Sequence, residues 1–326
     1  MKVIDMHCDT ITELWGKQEN GIQVGLRHND QMIDIERLTK GGYVLQNFAI
    51  FVEQQSGVSS FEKAQQIRSV FAREMNQNAD RIAMVTSVKG IEENEQAGKV
   101  SALLTVEGGE ACEGSIEKLH VLYEQGVRMM TLTWNYPNEI GYPNLPIGAA
   151  GFPYVPDTEH GLTSFGIQCV EEMEKMGMII DVSHLSDAGV DDVLRYTKKP
   201  FVASHSNARA ICPWVRNLTD DMIRVLAEHG GVAGLNFYPP FLNTDPVDKV
   251  SRIETMCEHV KRLVNVGGIE CVGIGTDFDG IEGKFEIADC TDMKKLFDAL
   301  QKTGFSEDAL EKIAYKNVER VIREVM

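Results

Sequence analysis

The sequence predicts an α/β protein of the TIM-type (β/α)8 barrel class, with loop insertions at the C-terminal face of the barrel. Three observations predict it. Eight short apolar runs have strand length, amphipathic stretches lie between several of them, and side chains able to bind metal stand where runs end.

The runs occupy residues 3–7, 43–52, 100–106, 127–134, 178–183, 200–204, 231–237 and 271–276. Between them Phe61, Ala64, Ile67, Val70, Phe71 and Met75 recur at helical spacing, as do Leu119, Leu122 and Tyr123 in a shorter segment. That alternation argues for parallel strands joined by crossover helices. Helix starts are marked by Thr163 or Ser164, by Ser186 and by Thr219, while Ser306 precedes a last helix with the stripe Leu310, Ile313, Ala314, Val318, Val321 and Ile322. The stripe reads as core. Residues 81–86, RIAMVT, read either as an extra strand outside the eight or as none. The segment from Asn135 to His160 holds Pro137, Pro143, Pro146, Pro153 and Pro156, which predicts a long loop over the barrel mouth serving as a substrate wall. One barrel takes about 250 residues and grows by insertion, so the 326 residues are expected to form one domain, 1–326.

The formal charge is −17, with acids spread along the chain. Nucleic acid is excluded as a partner, since phosphate binding needs a basic surface. Seven cysteines form an odd set without a C-x-x-C pair, and several lie in apolar runs, which favours a reducing cytosol over a disulfide framework. Neither a signal-peptide pattern nor an apolar stretch long enough for a bilayer is visible. The expected protein is cytoplasmic, with no membrane partner.

His7 and Asp9 are two apart, and in an extended chain such side chains share a face. Alone the pair is weak, because His-x-Asp arises by chance. Its weight comes from Glu107, His184, His205 and Asp277, which close the runs VSALLTVE, MIIDVSH, PFVASH and CVGIGTD. In a barrel of this type such strand ends converge at the C-terminal face. Three carboxylates and three imidazoles suit zinc or a similar divalent ion and exceed what one tetrahedral ion needs. Glu107 could bridge two ions, with His7 and Asp9 on one and His184 and His205 on the other. Each residue also has a bland reading, as a hydrogen-bonded histidine or a turn-forming aspartate. Six together at strand ends are hard to assign to turn chemistry. His120, His229 and His259 fall in helical stretches as surface or packing residues, and His28 and His160, in loops, stay open.

These motifs resemble the membrane dipeptidase (renal dipeptidase) family of zinc peptidases within the amidohydrolase superfamily. The resemblance runs through IDMHCDT at 4–10, VEGGEACEG at 106–114, GLTSFG at 161–166, IDVSHLSD at 180–187, ASHSNARAIC at 203–212, RNLTDD at 216–221, LNFYPPF at 235–241, GIGTDFDG at 273–280 and the closing YKNVERVI. It implies a metal-dependent, hydrolase-like barrel holding two zinc ions per chain, His7 and Asp9 on one, His184 and His205 on the other, and Glu107 between them. It implies Asp277 as the acid at the end of the last strand, with Asp279 ranked second, and Arg216 as the group that binds the substrate carboxylate. Tyr238, with Trp134 and Asn135, is expected to line the substrate pocket. The resemblance is to a bacterial-type cytoplasmic member, expected to be without the leader and lipid-anchor tail of membrane-bound relatives, and the family suggests a homodimer.

The resemblance implies hydrolysis of free dipeptides by a hydroxide shared between the ions, with Asp277 as general base. Arg216 suits a carboxylate because its planar fork bonds both oxygens. One position departs from the family: many members have a histidine after the TLT of the fourth strand, and this chain has Trp134. An indole N–H donates one hydrogen bond and cannot take up a proton. Two alternatives keep the barrel: an amidohydrolase acting on another small amide or ester, and a barrel that binds metal or peptide without catalysis.

Overall fold

The computed structural model describes residues 1–149 and 152–326. Its strands are, in chain order, β1 (Val3–Asp5), β2 (Tyr43–Phe51), β3 (Ile82–Met84), β4 (Val100–Glu107), β5 (Val127–Thr131), β6 (Ile179–Asp181), β7 (Val202–Ala203), β8 (Val232–Leu235), β9 (Val250–Ser251), β10 (Val272–Ile274) and β11 (Lys284–Phe285). Eight of them close a parallel ring in the order β1-β2-β4-β5-β6-β7-β8-β10, and β10 returns to β1 through Asp5 and Ile274. This is the predicted (β/α)8 barrel, and each of the eight apolar runs supplies one strand.

Several strands stop short of their apolar runs. The run 3–7 pairs only over Val3–Asp5, and the run 178–183 only over Ile179–Asp181. At both ends an aspartate accepts a hydrogen bond from the backbone two residues on, Asp5 from His7 N–H at 3.3 Å and Asp181 from Ser183 N–H at 2.9 Å. The carboxylate supplies the acceptor a neighbouring strand would have offered, so the chain can leave the ladder. The run 127–134 likewise ends at Thr131, which leaves Trp134 in the following loop.

The segment 81–86 does contain a strand, β3, and it lies outside the ring. It pairs with Val100–Ala102 of β4, and β5 takes the same edge of β4 from Leu104 onward. Strands β9 and β11 form a separate parallel pair.

Inside the ring Ile4, Leu45, Leu103, Met129, Ile179, Val202 and Val232 cluster with Val318, Val321, Ile322 and Val325. The helix Asn317–Val325 therefore plugs the end of the barrel where the strands begin, and open space is left at the other end. Its predicted stripe is buried throughout, although a π-helical turn at Lys312–Lys316 interrupts the last helix. Helices Ser60–Gln77 and Ile116–Glu124 carry the two amphipathic stretches. Thr163, rather than Ser164, caps the helix Ser164–Met176, and Ser186, Thr219 and Ser306 cap the helices after them, each accepting a backbone N–H three residues on. Among the described residues no helix is long and apolar enough to cross a membrane.

The proline-rich segment is a loop, with neither helix nor named strand among its described residues. Among the described residues of the loop and the residue before it, Trp134 and Asn135 line the cavity at the mouth, and Tyr136 packs against Trp134. Other described residues of the loop bind the turn after β6, where Asn144 N–H donates to His184 O at 2.8 Å and Ser186 N–H donates to Tyr142 O at 2.9 Å. Phe152 and Tyr154 stack near Trp214, with ring centroids 5.4 and 5.0 Å away. Prolines remove the N–H groups a regular ladder would need, so the segment is held by scattered contacts to a neighbouring turn.

Candidate metal centre

Beyond the C-terminal ends of the strands the structure brings together all six residues the sequence singled out. His7 Nε2 lies 3.5 Å from Asp9 Oδ2, 3.4 Å from Glu107 Oε2 and 3.8 Å from Asp277 Oδ1. The other oxygen of Glu107, Oε1, lies 3.1 Å from His184 Nε2 and 3.5 Å from His205 Nε2. The two imidazole Nε2 atoms are 3.0 Å apart. Three sets of donor atoms each converge closely enough for one ion: His7, Asp9 and Glu107; Glu107, His184 and His205; and His7, His205 and Asp277.

The donor chemistry fits metal. Nε2 of His7, which faces the cluster, and Oδ1 of Asp9 are buried without a hydrogen-bond partner, a costly condition for polar atoms unless a cation satisfies them. The tautomers of the other two histidines point the same way. Asn135 Oδ1 can only accept, so His184 Nδ1 donates to it at 2.9 Å and Nε2 keeps its lone pair. Ser204 Oγ spends its hydrogen on Asp181 and so accepts from His205 Nδ1 at 2.7 Å, which again leaves Nε2 free. Asn135, expected at the substrate, thus also orients His184.

Backbone conformation aims these groups. His184 and Asp277 have φ of 71° and 64°, in the left-handed region that costs a non-glycine residue about 1 kcal/mol or more. Gly280 makes room beside them, because a Cβ there would collide with Asp9 Oδ2.

Two buried aspartates that the sequence reading passed over hold the frame. Asp5 accepts Thr276 N–H at 2.9 Å and Thr276 Oγ1–H at 2.7 Å, fixing the residue before Asp277. Asp181 accepts Ser204 N–H at 2.8 Å, fixing the residue before His205, and takes Thr131 Oγ1–H at 2.6 Å. The signal was present: an acid inside an apolar run, opposite the pairs Thr-Asp and Ser-His.

Geometry separates the two candidate acids. Asp277 Oδ2 accepts Asn236 Nδ2–H at 2.9 Å, Oδ1 faces His7, and its side chain is 15% exposed against 5% for Glu107. Asp279 has both oxygens engaged, by Thr10 Oγ1–H at 2.6 Å and Met32 N–H at 2.7 Å. Asp279 ties loops together at the cavity rim, and Asp277 joins the cluster.

Electrostatics follow from burial. Burial, then the Arg216 charge, lowers His184 to about 3, and burial with His7 lowers His205, so both are neutral near pH 7 as metal binding requires. Burial would raise Glu107, yet His7, His184 and His205 outweigh it and hold its carboxylate well below the ordinary range. Burial raises Asp9 to about 7 against the pull of His7.

A cavity of about 310 Å³ opens over the cluster, lined by Asp9, Glu107, His184, Asp277, Trp134 and Tyr238 among others. Arg216 is not on its wall. It is 3% exposed, with its guanidinium carbon 5.3 Å from the Phe241 ring centroid, Nη1 on Ser206 Oγ, Nη2 on His205 O, and Nε without a partner. Burial lowers it to about 10, so it remains a cation at neutral pH. The remaining histidines lie elsewhere: His120 pairs with Glu172, His160 with Asp157 and His28 with Glu36, His229 meets Thr197 O, and His259 is buried between Ala208 N–H and Leu242 O.

Glu110, also unremarked in the sequence, is buried after β4 with Asn138 Nδ2–H on one oxygen and nothing on the other. Burial raises it to about 7. Between its ordinary value near 4.5 and about 7 the folded chain holds a proton that the unfolded chain has released, so stability falls as pH rises through that window. Glu110→Gln is therefore expected to raise the melting temperature at pH 8, by an effect of up to roughly 3 kcal/mol, and to change little at pH 4.5. Thermal melts at both pH values check it, and an equal shift at the two would refute the titration.

A family model described as membrane dipeptidase (peptidase family M19) matches residues 1–326. An uncharacterized protein in the pqqA 5' region of Klebsiella pneumoniae is 34% identical over 250 residues, 76% of this chain and 90% of that protein. Dipeptidase tcpJ of Claviceps purpurea is 30% identical over 307 residues, 90% of this chain and 69% of that one. Among solved structures, a metallopeptidase from Rhodobacter sphaeroides liganded with a phosphinate mimic of the dipeptide L-Ala-D-Ala superposes with a TM-score of 0.92 at 27% identity, covering 100% of this chain and 99% of that one. The family M19 metallopeptidase called dipeptidase AC gives 0.92 at 28% identity, covering 100% and 98%. Matched over its whole length and carrying a convergent donor cluster at the barrel mouth, the chain belongs to the membrane dipeptidase family, peptidase family M19, a family of metal-dependent hydrolases.

Proposed function

We propose that this protein is a zinc-dependent dipeptidase with two ions per chain. The observation that carries the reading is the division of Glu107, whose Oε2 faces His7 and whose Oε1 faces His184 and His205. His7, Asp9 and Glu107 would hold one ion, and Glu107, His184 and His205 the other. Two divalent ions held there would supply Lewis acidity for the scissile carbonyl and for an attacking water.

The chain's own groups do the rest. Asp277 Oδ1 takes the proton of the attacking water and returns it to the leaving amine, with Oδ2 steadied by Asn236. Arg216, whose Nε–H has no protein partner, binds the carboxylate of the second residue and so limits cleavage to very short peptides. Tyr238 and Trp134 shape the pocket. Trp134 stacks 4.8 Å from Phe51 and 5.1 Å from Tyr136, ring centroid to centroid, in an aromatic wall beside His184.

Elemental analysis of the purified protein together with a panel of dipeptides assayed with added zinc tests the reading. About two ions per chain and turnover of free dipeptides are expected. Zinc-loaded, folded protein inert on every dipeptide would refute it.

Two further results are expected on the same panel. Arg216→Met should weaken transition-state binding of free dipeptides by about 2 to 4 kcal/mol, mostly through KM, and spare dipeptide amides. Equal losses on both would assign Arg216 another role. Trp134→His should shift preference among dipeptides at unchanged ion content, because the residues that would hold the ions and take the proton are others. A broad rise in turnover on all dipeptides would instead show that the missing imidazole limits the wild type.

A further inference from the structure

We infer that Arg209 is the positioning residue for Arg216, and that Arg209, Asp187 and Asn144 form a frame fixing the separation between the metal centre and the substrate-carboxylate site. The inference rests on the reading of Arg216 given above.

Arg216 stands on a loop between β7 and the helix Asp220–Glu228 that has neither helix nor named strand of its own. The loop closes on itself where Arg209 N–H donates to Leu218 O and Leu218 N–H to Asn207 O, both at 2.8 Å. The side-chain contacts of Arg216 within it are long, 3.2 Å each to Ser206 Oγ and His205 O. The backbone is what holds it. Carbonyls on both sides of Arg216 turn toward the guanidinium of Arg209: Nε–H donates to Asn217 O at 2.7 Å and Nη2–H to Val215 O at 2.7 Å. Two peptide planes bracketing Arg216 are thereby fixed.

Arg209 is itself anchored. Its Nη1 and Nη2 donate to Asp187 Oδ2 and Oδ1 at 2.7 and 2.8 Å, a bidentate pair with side chains only 15% and 13% exposed. Such shielding makes the pair stronger than a surface one. Asn144 completes the frame: its Nδ2–H donates both to Asp187 and to Val215 O, the latter at 2.9 Å, while its backbone N–H donates to His184 O at 2.8 Å. One end of the frame is a residue of the metal centre, and the other is the peptide that carries Arg216. Only a planar fork with donors on three nitrogens reaches all of these acceptors, and a lysine ammonium cannot.

On that reading a dipeptide would place its scissile carbonyl at the cluster and its carboxylate at Arg216. Loosening the frame should therefore weaken binding through the carboxylate and leave the chemistry at the cluster in place. A merely structural staple predicts otherwise: lost stability, lost ions, and equal losses on every substrate.

The experiment compares Arg209→Lys, Asp187→Asn and Arg216→Met with wild type, all loaded with zinc, on one free dipeptide and its amide. For Arg209→Lys, KM for the free dipeptide is expected to rise about tenfold or more, with kcat within about threefold, KM for the amide unchanged and ion content unchanged. Asp187→Asn should show a smaller rise of the same kind, and it decides the matter if Arg209→Lys does not fold. Equal changes on dipeptide and amide, or an unchanged KM for the free dipeptide, would overturn the inference. If Arg216→Met discriminates between the two substrates while the frame variants do not, this inference alone falls. If Arg216→Met fails to discriminate, the carboxylate reading falls and the inference with it.

Discussion

Asp277→Asn is expected to lower kcat on dipeptides by about 10²- to 10⁴-fold while the protein keeps its ions. The amide oxygen can go on accepting Asn236 Nδ2–H, which leaves an NH2 where Oδ1 faced His7, and neither atom can take a proton from water. Steady-state rates with elemental analysis on the same preparation measure this. A kcat within about threefold of wild type would remove Asp277 from the role of base. Asp279→Asn is the natural control, since the bonds from Thr10 and Met32 give that side chain a structural task, and its effect should appear in melting temperature before it appears in kcat.

Glu107→Gln should be more damaging still, because it strikes both donor sets at once. Each oxygen of Glu107 faces a different set of imidazoles, and a glutamine must turn an N–H toward one of them. That N–H competes with an ion for the same space and removes the negative charge the two sets share. The expected result is loss of at least one ion per chain and a fall in activity of more than about a thousandfold. Two ions retained with near-normal turnover would show that Glu107 does not bridge.

The metal-centre residues were legible because a polar side chain closing a short apolar run has few structural reasons to be there. His7, Glu107, His184, His205 and Asp277 all stand out in this way, and the eight runs located the barrel at the same time. What supports them was harder to read. Asp5 and Asp181 look like blemishes in strands until their hydroxyl and N–H partners on neighbouring strands are known, and those partners are up to 271 residues away. Arg209 is one arginine among many in sequence, and its meaning lies in the two carbonyls it grips. The proline-rich loop was recognised as a loop, but proline content says nothing about which neighbour it packs on, so its place beside the β6 turn was not foreseen. The edge of β4 shared by β3 and β5 depends on strand order, which no local pattern encodes.

The bond from Thr276 to Asp5 also bears on the order in which the centre can come into being during synthesis. His184 and His205 lie on neighbouring strands, and Glu107 lies on a strand already made by then, so one donor set can assemble while the chain is still being extended. The set of His7, Asp9 and Glu107 also comes from early residues, but His7 is aimed by a strand whose second neighbour, β10, is made last. Closure across nearly the whole chain carries a large loop entropy and is slow compared with local pairing. A nascent or truncated chain lacking β10 would therefore bring His184, His205 and Glu107 together without Asp277, which follows that strand. The topology thus places the complete donor constellation after the last strand of the ring, so that Asp277 joins residues already assembled.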